Sequence, residues 1–124
     1  MAQKATAKFE DLVIPTYKPG ACEALPMFFE KKPYQGASGH LYPIPFTTRI
    51  SDKKQDVTYH AAVLENEYIK LEVMPEIGGK IQRALDKTND YDFVYHNKVI
   101  KPAMVGLAGP WVSGGIEFNW PQHH

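Results

Sequence analysis

Tyr68-Ile-Lys-Leu-Glu-Val-Met74 alternates apolar and polar side chains, and Pro75-Glu-Ile-Gly-Gly79 breaks the pattern. A two-residue period marks a strand, because successive side chains leave opposite faces of the pleat. Ile69, Leu71 and Val73 therefore face one way, and Lys70 and Glu72 the other. Lys80-Ile-Gln-Arg-Ala-Leu-Asp86 resumes the pattern, with Ile81 and Leu85 assigned to a common face. Lys87-Thr-Asn-Asp90 carries hairpin-turn chemistry, and Tyr91-Asp-Phe-Val-Tyr95 reads as the next strand. Upstream, Val57 to Leu64 is a β-rich run closed by Asn66-Glu67, where asparagine tolerates left-handed backbone. The stretch from Val57 to His96 thus predicts an antiparallel meander with one buried face. No long helical period and no internal repeat accompany it, so the fold class is all-β.

Working outward, Lys8-Phe-Glu-Asp-Leu-Val-Ile-Pro-Thr-Tyr17 holds an apolar run stopped by Pro15. Proline cannot donate to a central ladder, so this is an edge strand. From Lys18 to Pro45 prolines and glycines exclude a sustained helix. Met27, Phe28, Phe29, Tyr34, Leu41, Tyr42 and Phe46 are too apolar for a loose linker, which predicts an extended arm packed on the domain. Tyr42-Pro-Ile-Pro-Phe46 also has the look of a polyproline ligand. The expected organisation is a Pro/Gly-rich arm with its edge strand over residues 1–56, then the opening strands of a sandwich over 57–124, as one domain. Val99 to Leu107 hints at one more short apolar element.

The 124 residues suit a single domain with a moderate core. Lysine plus arginine and aspartate plus glutamate both number 14, and no basic run stands out. That argues against nucleic acid or an acidic membrane surface as a partner. The single cysteine, Cys22, cannot form an internal disulfide and fits a reducing compartment. No apolar leader segment opens the chain, and nothing reaches the length of a membrane span; a cytoplasmic protein is the expectation.

The unusual chemistry lies in Met104 to His124, which holds Trp111 and Trp120, four glycines, Ser113, Glu117, Asn119 and the pair His123-His124. Flat indoles beside an acid, an amide and imidazoles suit a pocket for a polyhydroxylated ligand. Aromatic rings cover the C–H faces of a sugar, and polar groups bond its hydroxyls. The same residues also fit a glycine-rich turn leading into a core strand. Trp111, Asn119 and Trp120 are the candidate ligand-binding residues, and Glu117, His123 and His124 the candidate catalytic ones. A histidine can act as general acid near neutral pH beside a carboxylate base. Strand alternation after Gly114-Gly115 would send Glu117 and Asn119 to one face and Phe118 and Trp120 to the other. Adjacent histidines diverge on an extended chain, so no metal site and no cofactor is expected. Gly78-Gly79 lacks the lysine-serine pair and helix of a phosphate loop and reads as a turn between strands. Asp90 and Asp92 read as solvated turn carboxylates, and His40, His60 and His96 as surface or packed histidines.

Ile14-Pro-Thr-Tyr17, Tyr34-Gln-Gly-Ala-Ser-Gly-His-Leu-Tyr-Pro43, Val63-Leu-Glu-Asn-Glu-Tyr-Ile69, Met74-Pro-Glu-Ile-Gly-Gly-Lys-Ile81, Asp86 to Tyr95 and the Gly-Pro-Trp to His-His segment resemble a bacterial domain-of-unknown-function family. Its members often carry tetratricopeptide repeats after this domain. The Asn-Glu-Tyr and Pro-Glu-Ile-Gly-Gly pattern is similar, more remotely, to the opening strands of aldose 1-epimerases, the galactose mutarotase-like proteins. The resemblance implies an antiparallel β-sandwich, of which this chain is the N-terminal part of a mutarotase-like supersandwich. It implies a carbohydrate ligand, and a glutamate base beyond residue 124. An open sheet edge in such a part would favour self-association. The implied function is carbohydrate binding within a bacterial carbohydrate-active protein; the alternative is a non-catalytic interaction module ahead of helical repeats.

Overall fold

The computed structural model describes residues 4–24, 47–106 and 109–119. Strands β1 (Thr6–Thr16), β2 (Gln55–Glu65), β3 (Ile69–Met74), β4 (Lys80–Asp86) and β5 (Tyr91–Asp92) form one antiparallel sheet in sequential order. A second, two-stranded ribbon joins β6 (Ala103–Gly106) to β7 (Gly109–Trp111). Among the described residues the only helical element is a single 3-10 turn, Pro75–Ile77, and no helix is long and apolar enough to cross a membrane. The expected meander is therefore present, with β1 at the edge of the sheet. Most of the Pro-rich arm, including Tyr42-Pro-Ile-Pro-Phe46, lies outside the described residues.

Each connection follows from its residues. The Asn66 side chain accepts the backbone N–H of Tyr68 and Ile69, both at 2.8 Å, which closes the β2–β3 turn. Gly78 and Gly79 both take positive φ, 69° and 68°, and carry the chain from the 3-10 turn into β4. Asp90 is the described non-glycine residue with positive φ, at the tip of the β4–β5 turn. Pro15 lies in β1 opposite Asp56, and its carbonyl accepts the N–H of Ile100 at 2.9 Å. Tyr17 N–H returns a bond to Ile100 at 2.8 Å, so the end of β1 is held on both edges. Around the base of the arm, Gly20 bonds Arg49 and Ser51 bonds Lys18, each at 2.8 Å.

Directly opposed residues share a face. Leu64 opposite Leu71, and Ala62 opposite Val73, put Ile69, Leu71 and Val73 together as expected, and Val63 opposite Glu72 defines the other face. Most of the burial falls on the second face, where Ala61, Val63 and Met74 are fully buried and Glu72 is 8% exposed. Ala84, opposite Leu71, is fully buried on the first. The mostly apolar face is the open one: Phe9 and Val13 are each 63% exposed, and Leu64 and Ile69 also face solvent. On it Phe9 stacks on His60 at 4.9 Å, and His60 Nδ1 lies 2.7 Å from Asp11 Oδ1.

Two expectations are corrected. The β3–β4 register shifts between Glu72 and Val73: Arg83 pairs with Glu72, but Ile81 pairs with Val73, leaving Gln82 as the extra residue. Such a bulge reverses parity along the strand. Ile81 therefore sits on the Val73 face and Leu85 on the Lys70 face, not together. Lys80 moves opposite Met74, onto the buried face. Secondly, β5 stops at Asp92 rather than Tyr95. Asp92 is bound to Arg83 at 2.7 Å, and the Tyr95 carbonyl is taken by Gly115 N–H at 2.8 Å, so the chain turns across the sheet. That crossing segment supplies carbonyls to buried polar groups: Gln82 Nε2 donates to Asn97 at 2.9 Å, and Lys80 Nζ to Val112 at 2.7 Å.

Candidate functional site

Four pieces of chain meet over the Lys80 end of the sheet. β1 and β2 contribute Thr16 and Tyr59, and the 3-10 turn with the glycine that ends it contributes Glu76, Ile77 and Gly78. Lys80 opens β4, and the returning segment brings Ile100, Trp111, Glu117 and Phe118. Together they line a cavity of about 440 Å³, room enough for a small ligand.

Beside the Ile100 bridge to β1, a second bridge docks the later part of the returning segment. Ile116 exchanges both backbone bonds with Ile81, at 2.9 and 3.0 Å, and Gly114 and Gly115 make that approach feasible. Both have positive φ, and a Cβ on Gly115 would lie 1.9 Å from the Ile81 carbonyl oxygen. The next residue is Glu117, whose Oε2 accepts the Trp111 indole N–H at 2.9 Å. This fixes the indole at the cavity wall with its polar edge satisfied, leaving the ring for contact.

The cavity's hydrogen-bonding character follows from its internal bonds. Thr16 donates to the Ile14 carbonyl at 2.9 Å, so its oxygen accepts the Tyr59 phenol at 3.0 Å. The phenol oxygen then retains acceptor capacity. Glu76 Oε2 accepts the His60 backbone N–H at 3.0 Å and has a second oxygen. Lys80, 4% exposed, is the strong donor. Burial lowers its ammonium below the usual lysine value, and the nearby Glu117 carboxylate pulls the other way.

The sequence-predicted residues divide three ways. Trp111 and Glu117 are brought together and line the cavity. Asn119 is exposed and is not among its lining residues. Trp120, His123 and His124 lie outside the described residues. The expected alternation after Gly114-Gly115 is also corrected: only Ile116 bridges, and Glu117 and Phe118 both line the cavity. Sequence reasoning missed Lys80, Glu76, Tyr59 and Thr16. Lys80 was hidden by the bulge, which reverses the face that simple alternation assigns.

A second polar cluster lies along the same sheet face. Arg83 Nε donates to Asp92 Oδ1 at 2.7 Å, and that bond holds the Asp92 carboxyl below its usual range. His96 Nδ1 lies 3.6 Å from Asp92 Oδ2, an ion-pair distance too long for a hydrogen bond. Asp92 is thus a paired carboxylate, not the solvated turn acid expected. Among the described residues no group of three or more His, Cys, Asp or Glu is placed to hold a metal ion.

The family model described as Domain of unknown function (DUF5107) matches residues 37–124, well over half of the chain. The chain belongs to this family. A solved structure also resembles the DUF5107 chain: a TPR-domain containing protein from Parabacteroides distasonis ATCC 8503, with a TM-score of 0.76 and 23% identity. The likeness covers 97% of this chain and 20% of that one, so the DUF5107 chain spans about a fifth of that protein's length. At this identity the likeness establishes a shared fold.

Proposed function

We propose that the DUF5107 chain is a carbohydrate-binding domain of a bacterial carbohydrate-active protein, and that the cavity beside Trp111 takes the sugar. The observation that carries the reading is the Trp111–Glu117 pair at 2.9 Å on the wall of a cavity that also holds buried Lys80. An indole face with a carboxylate at its edge and an ammonium on the floor suits a ring that is apolar on its C–H face and hydroxylated at its rim. The finer fold reading goes with it: the sheet is the opening part of a galactose mutarotase-like sandwich, supported by its antiparallel order and the Pro-Glu-Ile-Gly-Gly resemblance. Catalysis in that reading draws on Glu117 with His123 and His124.

The test is a titration of the 124-residue protein with monosaccharides and oligosaccharides, followed by tryptophan emission. Saturable perturbation, lost in Trp111→Ala, supports the reading; a flat response across the panel removes it.

A second reading is a non-catalytic interaction module ahead of helical repeats. The structural likeness to a TPR-domain containing protein favours it. Binding of a separately expressed repeat region with no sugar binding would select this alternative.

A further inference from the structure

Resting on the carbohydrate reading, we propose that Lys80 anchors the ligand in the Trp111 cavity while Glu76 and Glu117 make the cavity select a neutral polyhydroxylated ring over the corresponding uronate. Among the described lining residues Lys80 is the one cation, and it is 4% exposed. Its ammonium has three donors, and the Val112 carbonyl at 2.7 Å takes one. Around it the cavity presents acceptors: the Tyr59 phenol oxygen and the carboxylates of Glu76 and Glu117.

This distribution defines the ligand. One oxygen acceptor must meet the ammonium, and several O–H donors must meet the surrounding oxygens. A neutral sugar supplies both, because each hydroxyl donates and accepts. A uronate adds a charge to a cavity that already holds two carboxylates against one ammonium. The like charges repel across the cavity, and the cost is felt as lost affinity. Lys80 is desolvated before any ligand arrives, so a bond to it forgoes less hydration than a bond to a surface lysine. Its position comes from the β3–β4 bulge, which turns it onto the cavity face.

The experiment compares glucose, galactose and mannose with glucuronate, galacturonate and mannuronate by calorimetry, using wild type, Lys80→Met, Lys80→Arg and Glu117→Gln. Circular dichroism confirms that each variant is folded. The expected result is neutral-sugar binding that weakens roughly tenfold or more in Lys80→Met. Each uronate should bind about tenfold more weakly than its neutral partner, and Glu117→Gln, at an exposed residue, should narrow that gap. Equal or tighter uronate binding overturns the proposal and leaves the carbohydrate reading standing. Unchanged neutral-sugar affinity in folded Lys80→Met does the same, and if that variant fails to fold, an unchanged gap between neutral sugars and uronates in Glu117→Gln overturns it. Lys80→Arg, which keeps charge and donors, should bind neutral sugars more tightly than Lys80→Met. If none of the six sugars binds, the carbohydrate reading falls and this proposal with it.

Discussion

The Trp111 indole N–H donates to Glu117 Oε2 at 2.9 Å, closing a loop around Gly114-Gly115. The bond ties the cavity wall to the residue that follows the Ile116–Ile81 bridge. Glu117→Ala should free the indole edge to solvent and shift tryptophan emission to longer wavelength. If the cavity binds sugar, affinity should drop roughly tenfold, since a hydrogen bond to a charged partner contributes about 1.5 kcal/mol or more. Emission identical to wild type would show that the bond does not hold the ring in solution.

Gly115 and Gly78 separate close approach from backbone conformation. Both have positive φ, but a Cβ on Gly78 meets nothing within 4 Å, whereas on Gly115 it would sit 1.9 Å from Ile81 O. Gly78→Ala should cost about 1 kcal/mol, the strain of a left-handed alanine. Gly115→Ala should cost clearly more, about 3 kcal/mol, because the Ile116 bridge must part or β4 must move. Urea melts of the two variants give the comparison; equal midpoints would contradict the docking described.

Lys80 and stability are linked through protons. Its ammonium is lowered by burial in the folded chain, so the unfolded chain binds more protons over the interval up to the ordinary lysine value. Stability contributed by this residue therefore rises as pH increases through the folded value and levels off above the unfolded one. Wild type minus Lys80→Met, measured by urea melts at pH 8 and pH 11, should become more favourable to wild type at the higher pH. A difference independent of pH would mean that Lys80 is solvated.

Arg83 and Asp92 give a dependence of the same sign, but in the acid range. The Asp92 carboxyl is lowered, first by its bond to Arg83. Its contribution is complete above the unfolded aspartate value and fades as pH falls through the folded one. At neutral pH Asp92→Asn should cost about 1 kcal/mol, as for a partly screened ion pair. That deficit should close in acid. Equal deficits at pH 7 and pH 2.5 would rule out the ion pair as the cause.

The open sheet face bears on association. Phe9, Val13, Leu64 and Ile69 are exposed on it beside the edge strand β1. Edge strands with apolar exposure pair with other chains. Sedimentation should show concentration-dependent self-association that Phe9→Asp reduces, whereas a monomer at all concentrations would argue against it.

The sequence by itself determined the strands from β1 to β4 and the turns between β2 and β5, because these depend on neighbours along the chain. The alternation of Tyr68 to Met74, the asparagine at 66 and the paired glycines at 78 and 79 each specify local backbone, and Pro15 marked an edge. It also nominated Trp111 and Glu117, since an indole and an acid in a glycine-rich stretch are unusual chemistry. Tertiary structure decided which face is buried and which residues share the cavity. Periodicity separates two faces but does not say which one a later segment will cover. Here the segment carrying Asn97 and Val112 lies over Gln82 and Lys80. The bulge at Gln82 then turned Lys80 inward, because one extra residue reverses every side chain beyond it and the alternation of residue types carries no trace of that insertion.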